Sequence, residues 1–467
     1  METHYLSITD AAILLRRREL SPVELVEACL QRIEQLDGRL NAFVTVTAES
    51  ARAAARAAER EIGAGGYLGP LHGIPLAVKD LFHTAGVRTT ASSKILSDFV
   101  PARDATSIAR LKAAGAILVG KTNTHEFAFG ITTNNPHFGA THNPWQLAAI
   151  PGGSSGGSGA ALAAGLALAA TGTDTGGSIR IPASLCGITG IKPTFGRVSR
   201  HGVIPLSWSM DHVGPMARSV ADCALLLQAM AGPDPLDSQC LTDPLPDYSA
   251  GLHLGIQGWR FGVPRGWATE NLHPDVAAAF QQALAQLEAL GGRIVAVDLP
   301  HIMEAYPAYS AVGMPEAAHY HSDWLRERSE DYGEDVRQRL LTGSLVLATE
   351  YLKAQQVRTL LRQEMLAALA QCEALVTPAT VIPAAPIGAE ALKVDGRRFA
   401  VREGATRYTI PFNMAGLPGL VLPMGFTPAG LPMGMQFVGA PLAEAQLFRA
   451  GAAYEAATPW HERRPDL

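Results

Sequence analysis

Apolar positions along the chain fall into a few clear regimes. Residues 7–36 carry helical spacing, with Thr9 or Asp10 placed to cap a first helix and Ser21-Pro22 giving an N-cap followed by proline at the first helical position. Residues 41–62 read as a long Ala/Arg/Glu helix with one solvated face, ended by the glycines at 63, 65 and 66. Residues 71–78 turn strand-like, and Pro75 within them predicts an edge or irregular strand. A helix over 103–114 leads into the continuous apolar run 116–120, which has the pattern of a buried strand. Further on, strands are predicted at 259–264 and 293–297 around a helix at 275–290, a spacing that supports an α/β sheet. Residues 234–250, rich in Asp and Pro, read as a surface loop. Residues 303–342 are helical and carry Tyr306, Tyr309, Tyr320, Trp324 and Tyr332, which suit either core packing or a lid. A helix at 350–369 and strands at 374–378, 420–423 and 433–438 complete the pattern.

The stretch from Pro151 to Pro193 differs from all of these. Two Gly/Ser clusters, Gly152 to Ser158 and Gly172 to Ser178, flank a run at 160–170 containing only Ala, Leu and one Gly. That run predicts a helix of low side-chain bulk against which other segments pack closely. Glycines let backbone N–H groups approach a ligand. A serine among such groups is a candidate nucleophile, and the N–H groups a candidate oxyanion hole. A flexible linker fits poorly, because apolar sequence borders both clusters. A phosphate loop lacks its lysine, since none lies between Ser154 and Ser178. Gly152-Gly153-Ser154-Ser155-Gly156 also fits the G-x-S-x-G elbow of α/β-hydrolases, with Ser154 as nucleophile and a late histidine such as His461 as base. An elbow wants an apolar strand running into it, and little apolar sequence precedes Pro151.

Over more than forty residues this stretch resembles the signature of the amidase signature family. Gly73 to Asp80 resembles that family's lysine segment, and Tyr408 to Gly419 its C-terminal core segment. The resemblance implies a single domain over 1–467 with an α/β fold, a large mixed sheet covered by helices on both faces. Within it lie N-terminal helices at 7–62, a catalytic core at about 68–232, a variable substrate-side helical region at about 300–370 and a core-completing segment at 374–467. It implies a Ser-cisSer-Lys triad. Ser178 would be the nucleophile, Lys79 the base, and Ser154, which follows a cis peptide in this family, the relay. A lysine following Leu76-Ala77-Val78 has a buried stem, which lowers its pKa, as a base requires. The N–H groups of Thr175, Gly176, Gly177 and Ser178 would form the oxyanion hole, with Gly153, Ser155, Asp174 and Arg180 in support. Phe127, Gly130, Ile131, Thr132, Ile181 and Cys186 are the expected substrate-binding residues.

Substrate is argued from two departures. The family's glutamyl-tRNA amidotransferase A subunit typically has glutamine where this chain has Ile181, and an aspartate where it has Thr406. The expectation is therefore a hydrolase of amides of small, fairly apolar acyl substrates, with esters and carbamates open to the same chemistry. The alternatives are the glutaminase A subunit of an amidotransferase complex and, behind it, the α/β-hydrolase-type esterase.

Composition changes this picture little. The 467 residues are 47% hydrophobic and 17% charged, ample for a large core. A net charge of −5 leaves no footprint for nucleic acid or an anionic membrane. Five scattered cysteines without C-x-x-C spacing, no secretory pattern at Met1 to Tyr5 and no 18-residue apolar run predict a cytoplasmic protein. No cofactor or metal is expected, the partner is a small-molecule amide, ester or carbamate, and a monomer or homodimer is compatible with the sequence. His125 and Glu126 read as a structural or acid/base pair, and His319 and His321 as a polar surface pair.

Overall fold

A computed structural model describes residues 2–467. One sheet of eleven strands forms its spine. In chain order the strands are β1 (Phe43–Val46), β2 (Pro75–Lys79), β3 (Ile117–Thr122), β4 (Ala169–Asp174), β5 (Thr189–Lys192), β6 (His212–Ala217), β7 (Arg260–Pro264), β8 (Arg293–Val297), β9 (Ala374–Pro378), β10 (Gly419–Phe426) and β11 (Pro432–Val438). Their spatial order is β1-β3-β2-β4-β6-β5-β10-β11-β9-β7-β8. The sheet is mixed: β2 runs parallel to both β3 and β4, while β4–β6, β5–β10 and β10–β11 are antiparallel. This is the expected α/β architecture.

Several elements differ from the sequence reading. Residues 43–46 form β1 at the sheet edge, pairing with β3, and the Ala-rich helix begins only at Ala48. Four residues are too short for period-2 alternation to show beside a strong helical pattern. β2 is interior rather than an edge strand, because Pro75 is its first residue and loses little by lacking an N–H. The Ala/Leu run is not one helix. A helix α1 (Gly156–Ala163) ends at a positive-φ turn at Gly165, and Ala169 and Ala170 already belong to β4. Small apolar residues suit a buried strand as well as a helix, so periodicity does not separate them here.

α1 is buried along its whole length. A Cβ on Gly157 would lie 2.5 Å from the carbonyl oxygens of Ala42 and Asn123, so glycine is what allows this approach. The second cluster runs from the end of β4 into α2 (Arg180–Cys186). The region expected to be variable forms α3 (Ala305–Tyr320) and α4 (Glu334–Ser344), which pack on each other. Two short helices, α5 (Val401–Thr406) and α6 (Ile410–Met414), precede β10. Among the described residues, no helix is long and apolar enough to cross a membrane.

Candidate active site

β2 and β4 are parallel neighbours, so their C-terminal ends bring Lys79 and Asp174 to the same edge of the sheet. That edge is where loops build sites in α/β proteins. Lys79 is fully buried, and its Nζ lies 2.7 Å from Ser154 Oγ, 2.9 Å from Ser155 Oγ and 2.8 Å from Thr173 Oγ1. None of these partners carries charge. Burial therefore dominates and pushes the ammonium down to about 7, against the pull of Asp174 and Asp211. Asp80 faces elsewhere, accepting from Thr90 N and Oγ1 beside Lys121 Nζ at 3.3 Å.

The Gly153–Ser154 peptide is cis. Ser154 is fully buried, and its carbonyl accepts from Thr124 Oγ1 and His125 N. A Cβ on Gly153 would meet the backbone of Ile131 and Thr132 at 2.8 Å, so the segment at 130–133 backs directly onto this bond. Ser178 is the most open of Lys79, Ser154 and Ser178, and among the described residues its Oγ has no hydrogen-bond partner. Its carbonyl accepts from Ser155 N at 3.2 Å, which ties the two clusters together. No histidine ring hydrogen-bonds to the hydroxyl of Ser154 or Ser178 among the described residues; His461 sits in the C-terminal turn, where its carbonyl accepts from Arg464. The α/β-hydrolase arrangement is absent from this geometry.

The loop from 174 to 178 is held from beneath. Asp174 Oδ1 accepts from Gly177 N at 2.8 Å, and Asp174 forms a two-pronged pair with Arg180 at 2.9 Å for each contact. Arg180 also donates to Gln436, Asn413 and the Thr409 carbonyl, so β11 and α6 brace the same loop. Burial opposes the charge on Asp174, but the Arg180 guanidinium overcomes it and holds the carboxyl below its ordinary range. One expectation is corrected here. The Gly177 N–H is spent on Asp174, whereas those of Thr175, Gly176 and Ser178 make no protein hydrogen bond among the described residues.

The substrate-side expectations fare unevenly. Phe127 is fully buried in an aromatic cluster with His321, Trp324 and Tyr332, and so fixes the helical region to the core rather than lining a pocket. His321 is accordingly interior, not a surface residue; burial pulls its imidazole down to about 3. Gly130 packs against the His125 ring. Cys186 is buried, with Sγ donating to the Pro151 carbonyl. Ile181 lies under the loop, against Gly152 and Gly177. His125 and Glu126 do not pair with each other. His125 meets Asp335 at 2.9 Å, and Glu126 accepts from Ser93, bonds His137 and accepts from Gly333 N.

Further residues complete the site, of which the sequence singled out only Tyr309, as a core or lid aromatic. Thr175 Oγ1 donates to Asp211 at 2.5 Å, and burial raises the Asp211 carboxyl to about 6. Tyr309 of α3 stands over Gly176, its hydroxyl 2.7 Å from where a Cβ would be. Thr409 Oγ1 donates to the Gly176 carbonyl at 2.6 Å. Arg339 of α4 donates to the Phe129 carbonyl and pairs with Asp335 at 3.1 Å. No local motif announces these residues, because they come from distant segments joined only by the fold.

Fold and site together define an amidase-type enzyme that acts on carbon–nitrogen bonds other than peptide bonds. The family model described as Amidase matches residues 24–448, and the chain belongs to that family. It is 45% identical to the A subunit of glutamyl-tRNA(Gln) amidotransferase from Roseiflexus sp. (strain RS-1), over 99% of both chains. Among solved structures it is similar to a chain from a vestigial protein complex described as revealing the origins of an s-triazine catabolic enzyme. The identity is 40% and the TM-score 0.92, covering 97% of this chain and 98% of that one. The glutamyl-tRNA(Gln) amidotransferase A subunit of Thermotoga maritima matches at 34% identity and a TM-score of 0.82, covering 98% of this chain and 96% of that one.

These relatives overturn the expectation of small, fairly apolar acyl substrates and favour its alternative, the A subunit of an amidotransferase. The physical reason is visible in the site. Ile181 packs beneath the loop and is fully buried. Thr406 donates to the Arg402 carbonyl within its own helix.

Proposed function

We propose that this chain is the amide-hydrolysing A-type subunit of an amidotransferase assembly, releasing ammonia from the side-chain amide of glutamine. Ser178 is the nucleophile. Its Oγ attacks the amide carbonyl while Ser154 takes the proton and passes one to Lys79, which burial brings down to about 7, so that a large share is neutral near pH 7. A hydroxyl can relay in this way because it both donates and accepts. The oxyanion forms against the N–H groups of Thr175, Gly176 and Ser178. Collapse of the tetrahedral intermediate returns a proton to the departing nitrogen, ammonia leaves, and water then hydrolyses the acyl-Ser178 ester.

The observation that carries this reading is Lys79 Nζ, buried and 2.7 Å from Ser154 Oγ, in a chain that aligns end to end with amidotransferase A subunits. Those relatives are subunits by name, which supports a protein partner rather than a monomer or homodimer alone. The test is ammonia release from L-glutamine by the chain alone and by the assembly co-purified from its source under gentle conditions. Glutamine turnover that needs or gains from the partner supports the proposal. No ammonia from either preparation contradicts it.

A further inference from the structure

β4 and β6 run antiparallel with Asp174 paired to His212, so the residues just beyond that pair, Thr175 and Asp211, meet at the end of the sheet. The contact is short: Thr175 Oγ1 donates to Asp211 Oδ1 at 2.5 Å. Asp211 also closes the turn before β6, accepting from Leu206 N at 2.8 Å and from Ser207 N at 3.0 Å. That turn is fixed in its own right, because Glu316 of α3 accepts from Ser207 Oγ and Ser209 N. Among the described residues the Asp211 carboxylate has no ion-pair partner; Arg200, whose charge reaches it, is spent on Asp237 at 3.0 Å. Three successive residues of the catalytic loop are thus pegged from three segments: Thr175 by Asp211, the Gly176 carbonyl by Thr409 and the Gly177 N–H by Asp174. The first peg leaves the Thr175 N–H free. A β-branched side chain is stiff about χ1, so holding its Oγ1 also holds the backbone and the direction of that N–H.

We infer that Asp211 is a positioning residue for the amide hydrolysis: through Thr175 it aims the first N–H of the oxyanion loop, and its negative charge supports the ammonium that Lys79 becomes as Ser178 attacks. The inference rests on the proposed roles of Ser178, Ser154 and Lys79. The surroundings agree with it. Asp211 lines the same cavity, of about 260 Å³, as Thr175 and Thr173, and Thr173 Oγ1 lies 2.8 Å from Lys79 Nζ. Asp211 and Asp174 are the two charges that pull Lys79 toward its protonated form, while its direct partners are neutral hydroxyls. Burial raises the Asp211 carboxyl to about 6, so it is ionised above neutrality. Without that charge, burial of the lysine is less opposed. Lys79 then loses its proton at lower pH, and the limb on which it becomes a base moves down.

The experiment compares wild type with Asp211→Asn, Thr175→Val and the double variant, each purified with any partner it carries and checked by a melting curve. Ammonia release from L-glutamine gives kcat and KM. The rate at which phenylmethylsulfonyl fluoride modifies Ser178, followed by peptide mass, gives a second measure that needs no amide substrate. Asp211→Asn keeps the shape and removes the charge; it lowers kcat about 10–100-fold and changes KM less than about threefold. Thr175→Val lowers kcat as well, and the double variant is no slower than Asp211→Asn, because both substitutions break one contact. The ascending limb of the pH profile lies lower in Asp211→Asn and stays in place in Thr175→Val, a split that a purely structural carboxylate does not give. A kcat within about threefold of wild type in either folded single variant, losses that multiply in the double variant, or an unmoved limb in Asp211→Asn overturns the inference. Thr175→Val breaks the contact without touching the turn, so it decides the matter even where Asp211→Asn does not fold. If wild type releases no ammonia while Ser178 modification slows in both single variants and its limb moves only in Asp211→Asn, the glutamine reading fails and the positioning role stands. A wild type that does neither sinks both.

Discussion

Lys79 Nζ lies 2.7 Å from Ser154 Oγ and also touches Ser155 and Thr173, with no carboxylate among its direct partners. For an ammonium buried among neutral hydroxyls, desolvation outweighs the more distant pull of Asp174 and Asp211, so the arrangement makes a base rather than a structural cation. Replacing Lys79 with Ala or Arg removes that base, since arginine stays protonated. Each variant should lose about 10³-fold or more in kcat while glutamine binding persists, read from steady-state kinetics beside a melting curve. Activity within tenfold of wild type in folded Lys79→Ala would show that another group takes the proton.

The same lysine sets the pH profile. Its working form is neutral, and burial brings the folded-state value from the usual 10.5 to about 7. Activity should therefore rise with pH, climbing about tenfold per unit below the inflection and flattening above it. Measured as kcat/KM from about pH 5.5 upward, one ascending limb centred near neutrality is expected. A profile that falls as pH rises through this range would contradict a neutral-lysine base.

Arg180 acts on the loop through Asp174. Both are fully buried, and Arg180→Ala would leave the carboxylate without its cation and strip partners from Asn413 and Gln436. Breaking a buried pair from one side costs about 3–5 kcal/mol. Denaturant unfolding should show a loss of that order, and the Gly177–Ser178 loop should lose activity with it. Arg180→Lys keeps the charge but not the forked geometry, and should recover only part.

Gly157 tests the packing argument by itself. Its φ is not positive, so the constraint is purely steric: an added Cβ would lie 2.5 Å from two backbone oxygens, which cannot move aside as a side chain can. Gly157→Ala should destabilise by about 1–3 kcal/mol, seen as a lower denaturation midpoint. An unchanged midpoint would mean that α1 can shift without cost.

Much of the site could be read in the chain because its parts are local. Ser154, Ser155, Asp174, Ser178 and Arg180 lie within 27 residues, and a Gly/Ser cluster at each end of an apolar run stands out from the amino-acid pattern alone. Lys79 was legible from the apolar residues leading into it. Asp211 and Thr409 were not, because each reaches the loop from a different segment, and Tyr309 stood only among the aromatics that suit core packing or a lid. The substrate inference failed for a related reason. Ile181 and Thr406 were weighed as pocket residues that read substrate, whereas Ile181 packs beneath the loop and Thr406, although it lines a cavity, spends its hydroxyl within its own helix. β1 was missed because four residues are too short for alternation to show beside a strong helical pattern, and the strand half of the Ala/Leu run because small apolar residues carry no period.

The most direct test of the account asks which serine is the nucleophile. Intact-mass analysis and peptide mapping after reaction with 6-diazo-5-oxo-L-norleucine, a glutamine analogue that alkylates amidase nucleophiles, would be run on wild type, Ser154→Ala and Ser178→Ala. The account predicts one adduct, on Ser178, that disappears in Ser178→Ala and forms more slowly in Ser154→Ala. An adduct on Ser154, or glutamine turnover that survives in Ser178→Ala, would contradict it.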